Sequence, residues 1–62
     1  MIVVEGTTSG GALAQLLPDA EIAVAWMRSI EEIATKPIVW QVWQTDHNSL
    51  RDAIANKPKG TP

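Results

Sequence analysis

His47 is the single histidine of the 62-residue chain, and it stands in Asp46-His47-Asn48-Ser49. Those residue types invite a nucleophile–base–carboxylate reading. Adjacent residues in one turn do not usually satisfy that geometry, because each group must aim at the next. A distant hydroxyl such as Ser9 would have to complete the set in space. The plainer reading is a solvent-exposed turn histidine. For a metal, Asp46 is the only near neighbour of a ligating type, and with no cysteine in the chain a Cys-based zinc site and a disulfide framework are both excluded.

Two other candidates stand beside it. Gly6 and Gly11 satisfy G-x-x-x-x-G behind a β-branched run, as in a phosphate-binding loop. Such a loop needs Lys and Ser/Thr next, the first for the phosphates and the second for magnesium, and here Ala12 and Leu13 stand there. What is left is a cradle of backbone N–H groups for a lone anion, set against an ordinary glycine turn. Glu31 and Glu32 are helix neighbours pointing about 100° apart, so they form no paired acid and base. No residue is therefore assigned a catalytic, cofactor or metal role. A small enzyme with a subunit-interface site near His47 stands as one alternative.

Nucleic-acid binding is a second alternative, in the form of a small DNA-binding transcriptional regulator. Ala12 to Glu21 has the rough rhythm of a helix-turn-helix, yet the second helix opens with Asp19 and Glu21 where basic and amide residues are needed. Residues 1–35 carry Glu5, Asp19, Glu21, Glu31 and Glu32 against Arg28. Residues 36–62 carry Lys36, Arg51, Lys57 and Lys59 against Asp46 and Asp52. A basic C-terminal half of four cations is a thin phosphate footprint. The same asymmetry suits two copies packing head to tail.

The elements that would position these residues follow from pattern. Ile2-Val3-Val4-Glu5 is a short β-branched strand closed by Gly6. Ala12 to Leu17 favours a short helix with Ser9 as a candidate N-cap, stopped by Pro18. Asp19 caps the main helix, predicted over residues 20–36. On its wheel Ile22, Trp26, Ile30, Ile33, Ala23 and Met27 share one face, while Glu21, Arg28, Ser29, Glu32 and Lys36 lie opposite. Glu32 and Lys36 have the spacing of a favourable i,i+4 pair. Pro37 ends the helix.

Ile38 to Gln44 reads as a strand, with Ile38, Trp40 and Val42 on one face and Val39, Gln41 and Trp43 on the other. A helix begun by Pro37 is the competing reading. Ser49 and Asp52 have capping-box spacing before a short helix over residues 50–56. The fold class is thus α+β, in the order strand, short helix, long helix, strand, short helix, with an all-α bundle as the alternative. Residues 1–56 form a single domain and residues 57–62 a flexible C-terminal tail. The two strands, joined by a crossover, are expected to run parallel. Two strands make a poor sheet, so a second copy is expected to complete it, giving four strands with helices on one face.

Size points the same way. Of the 28 apolar residues 8 are Ala, leaving 20 large ones. A domain of about 60 residues buries only about 60% of its unfolded surface, and without disulfides or metal, oligomerisation is the standard source of further burial. Of the three Trp, Trp26 fits the core face of the long helix. Trp40 and Trp43 differ by an odd number and must take opposite faces of a strand. One is expected to enter the core and the other to find an interface, where Trp is the commonest anchor. Trp40, Trp43, Val39 and Gln41 are the expected contact residues.

The strand-helix-strand order, with Glu5-Gly6 closing the first strand, loosely resembles the small tautomerase subunits. That family works through an N-terminal proline, and this chain begins Met1-Ile2, so the resemblance carries no activity over. Neither a basic leader nor an apolar run of about 18 residues is present, which makes the cytoplasm the expected location. The expectation is a small non-catalytic regulator without cofactor. It would homo-oligomerise, bind a protein partner through its Trp surface, and make no use of membranes.

Overall fold

The computed structural model describes residues 1–58 of the chain. Its elements run β1 (Ile2–Thr8), β2 (Gly11–Leu17), α1 (Ala20–Ile33), β3 (Val39–Gln44) and α2 (Leu50–Ala55). The fold is α+β, with one three-stranded sheet in the order β2-β1-β3. The all-α alternative is not supported. Residues 59–62 of the expected tail lie outside the described residues.

Residues 12–17 are the main correction. They form a strand where a short helix is expected, and Ser9 caps nothing. Thr8 pairs with Gly11 across a two-residue turn, Ser9-Gly10. The Thr8 hydroxyl ties that turn, accepting from the Gly10 N–H at 3.1 Å and donating to the Gly11 carbonyl at 3.2 Å. Gly11 has φ +143°, a conformation that side chains rarely adopt. The cause of the override lies in β1, where Val3 and Val4 are both fully buried on opposite faces. A strand covered on both faces needs both of its backbone edges paired, and only a neighbouring strand supplies that ladder. Tertiary context outweighs the helix preference of Ala and Leu here.

The second correction follows from the first. The hairpin reverses the chain once more than expected, so β1 and β3 pair antiparallel, from Ile2 opposite Gln44 to Thr7 opposite Val39. The parallel relation falls instead between β2 and β3, which flank β1 on either side. The chain thereby builds a three-stranded sheet by itself, and its helices cover both faces.

Asp19 caps α1 as the sequence indicates, its carboxylate accepting the Ile22 N–H at 2.9 Å. The helix stops at Ile33, earlier than expected. Ala34 is already extended, and its N–H closes the last turn on Ile30 O at 2.9 Å. Lys36 therefore lies off the helix and out of i,i+4 spacing with Glu32. Over one face of the sheet α1 covers Val4 and Leu17 with Ala23, joined by Ile2, Trp26, Met27 and Trp40. Val3 and Glu5 point to the other face by strand alternation. Lys57, just past α2, reaches Glu5 there at 2.7 Å, and Ala53 of α2 is fully buried. Ser49 caps α2, accepting from the Asp52 N–H at 3.5 Å.

Candidate functional site

β3 is an edge strand, and it carries all four residues expected at the contact surface. Its sequence, Val-Trp-Gln-Val-Trp-Gln, has no charge, no proline and no glycine. The backbones of both helices lie over β1 and β2, and α1 reaches β3 through the side chains of Trp26 and Glu31. The ladder shows which backbone groups are free. The Thr45 N–H donates to the Met1 carbonyl at 3.0 Å, extending the β1–β3 pairing by one position. Because antiparallel residues alternate in the direction of their hydrogen bonds, Val39, Gln41 and Trp43 face β1. The N–H and C=O groups of Trp40, Val42 and Gln44 then point outward, along the open edge.

The two tryptophans take opposite faces of the strand, and each is half-buried. Trp40 lies opposite Gly6, where its ring occupies the space a side chain would fill: a Cβ on Gly6 would stand 2.7 Å from the Trp40 ring. It meets Trp26 of α1 edge to face, with centroids 6.0 Å apart and planes at 67°. Its indole N–H donates to Glu31 at 3.2 Å. Trp43 lies opposite Val3 on the α2 face, with the Lys57 ammonium 5.6 Å from its ring centroid. The Trp43 Nε1 is buried without a hydrogen-bond partner.

With helices on both faces, neither Trp is left bare, contrary to the expectation that one must be. The apolar exposure on β3 belongs to its valines instead. Val39 is 72% exposed and Val42 49%, one on each face. The expected contact residues thus lie together on one strand. Val42, which sequence reasoning did not single out, belongs with them. The signal that points to it is the uncharged run 39–44, because edge strands commonly carry a charge or a proline that blocks further pairing.

The other candidates fare differently. Gly6 sits inside β1 and Gly11 opens a strand, so the glycine segment leads into no helix N-terminus that could hold an anion. The helix-turn-helix rhythm of residues 12–21 is lost for the same reason. His47 lies in an exposed turn, its N–H donating to Thr45 Oγ1 at 3.1 Å. Among the described residues no group of three His, Asp or Glu side chains converges as a metal site would require. No helix among them is long and apolar enough to cross a membrane. A groove of about 330 Å³ lies where the end of α1 meets the β1–β2 hairpin, lined by Leu13, Ile30, Ile33, Ile38 and the rim residue Lys36.

Comparison with protein-family models, with curated proteins and with solved structures gives no match.

Proposed function

We propose that this chain is a small non-catalytic interaction protein that assembles with itself through the edge strand β3 and acts by binding a protein partner. The observation that carries the reading is the open β3 edge. It is rich in β-branched and aromatic residues, bears no charge, has neither helix backbone over it and exposes Val39 and Val42. An unpaired strand of that composition is a template for strand addition, in which backbone hydrogen bonds supply affinity and alternate side chains supply specificity.

The opposite edge is a poorer template. β2 offers Gly11, Ala12 and Ala14, which have little side chain to set against a neighbouring strand. A small core adds to the case for β3. Only Val3, Val4, Leu17, Ala23 and Ala53 are buried apolar residues among those described, so further burial has much to offer the fold. Sedimentation velocity across micromolar concentrations tests the reading. A dimer or larger species is expected, and a monomer throughout that range overturns self-association.

A further inference from the structure

The segment Val39-Trp40-Gln41-Val42-Trp43 is complementary to its own reverse. Turned end for end about Gln41, it sets every valine against a tryptophan. From this and from the free edge of β3 we infer that two copies pair through β3 antiparallel, about a two-fold axis at Gln41, into one continuous six-stranded sheet. The inference rests on the self-association reading above and specifies its partner as a second copy in one register.

Backbone geometry and side chains agree on that register. The outward N–H and C=O groups belong to Trp40, Val42 and Gln44, so even-numbered residues must pair with even-numbered ones across the new interface. Centring on Gln41 places Trp40 opposite Val42 of the second copy as a hydrogen-bonded pair, and the reverse pair follows by symmetry. Val39 then faces Trp43 of the second copy on the other side of the sheet. The two valines left exposed on β3, Val39 at 72% and Val42 at 49%, each come to stand opposite a tryptophan. Aromatic and β-branched residues are favourable cross-strand neighbours. Gln41 meets its own symmetry mate, where two amides can exchange hydrogen bonds.

The nearest competing register, centred on Val42, also matches the backbone groups. It sets Trp40 against Gln44 and Gln41 against Trp43, so both tryptophans face polar side chains and only Val42 meets an apolar neighbour. The register centred on Gln41 is preferred on that ground. Neither helix backbone lies over β3, which α1 touches only through Trp26 and Glu31 at Trp40.

Single-cysteine variants of the full chain test the register, because the natural sequence holds no cysteine. In the proposed pairing, Gln41→Cys places two thiols on a non-hydrogen-bonded pair with Cα atoms about 4.5 Å apart, within the range a disulfide accepts. Val42→Cys places its two thiols two residues out of register, about 7 Å apart along the strand alone and beyond that range. Each variant is oxidised under mild conditions, run on a non-reducing gel, and sedimented in its reduced form.

A cross-linked dimer from Gln41→Cys with none from Val42→Cys supports the inference. Cross-linking of Val42→Cys alone, or of both variants as a parallel pairing gives, overturns the register and leaves self-association standing. Reduced variants that sediment as dimers yet cross-link at neither position also overturn the register and leave self-association standing. Monomeric sedimentation of the reduced variants and the natural chain overturns the inference and the self-association reading together.

Discussion

Gly6→Ala is a small change with a large expected effect. A Cβ at Gly6 would stand 2.7 Å from Trp40 Cζ3, 3.0 Å from Trp40 Cε3 and 3.0 Å from Ile38 Cγ2. Contacts that short do not persist, so the Trp40 ring must move. It is held by the edge-to-face contact with Trp26 and by its hydrogen bond to Glu31, and moving it strains both. Overpacking of this kind costs about 1–3 kcal/mol. Replacing a strand glycine by alanine returns about 0.5–1 kcal/mol of backbone entropy. The difference spans about 0–2.5 kcal/mol and centres on a destabilisation of about 1 kcal/mol, which in a domain of this size lowers Tm by roughly 4–8 °C.

Thermal unfolding followed by far-UV circular dichroism reads the shift, with variant and parent at equal protein concentration, because assembly itself raises Tm. Near-UV circular dichroism of the three tryptophans should change with it, as the Trp26–Trp40 geometry is disturbed. Gly10→Ala is the control. Its Cβ would meet only the flexible end of Lys36, at 3.3 Å, and Thr8 Oγ1 at 3.7 Å, so its effect should stay within about 0.5 kcal/mol. A Gly6→Ala protein as stable as its parent and with an unchanged near-UV spectrum would refute the packing of Trp40 over β1.

Other substitutions probe separate parts of the account. Asp19→Ala removes the cap of α1 and should cost about 1 kcal/mol, measured by urea unfolding, with Asp19→Asn largely preserving stability. Glu5→Gln breaks the pairing with Lys57, whose side chain is 36% exposed; the loss should be about 0.5 kcal/mol and should shrink when unfolding is repeated at high salt. Val42→Lys puts a charge on the open edge, where Val42 is 49% exposed, and should yield a folded monomer by sedimentation with an unchanged far-UV spectrum. His47→Ala, in an exposed turn, should alter neither stability nor assembly, and loss of assembly in a variant of unchanged stability would show that His47 holds a contact between copies.

The long helix is legible in the sequence because its periodicity, its Asp19 cap and the proline beyond it all agree. The strand at residues 39–44 and the opposite facing of Trp40 and Trp43 are legible from β-branched and aromatic content and from simple parity. β2 is not. Ala12-Leu13-Ala14-Gln15-Leu16-Leu17 has helical propensity, and what makes it a strand is the second backbone edge of a β1 buried on both faces, a non-local demand. Losing β2 misplaces everything that depends on it: the antiparallel pairing of β1 with β3, the number of strands, and the covering of both sheet faces. The strand proposed for contact is visible in the sequence by its composition. Which backbone groups it leaves free depends on the register with β1, which only the folded chain provides.

Amide hydrogen exchange at the β3 edge reports on self-pairing group by group. In a single chain the N–H groups of Trp40 and Val42 point to solvent, while those of Gln41 and Trp43 lie in the ladder with β1. Pairing of β3 with a second copy predicts that protection at Trp40 and Val42 rises with protein concentration, and that protection of Gln41 and Trp43 persists at every concentration. Rapid exchange at Trp40 and Val42 at concentrations where the protein is folded and associated would contradict assembly through this strand.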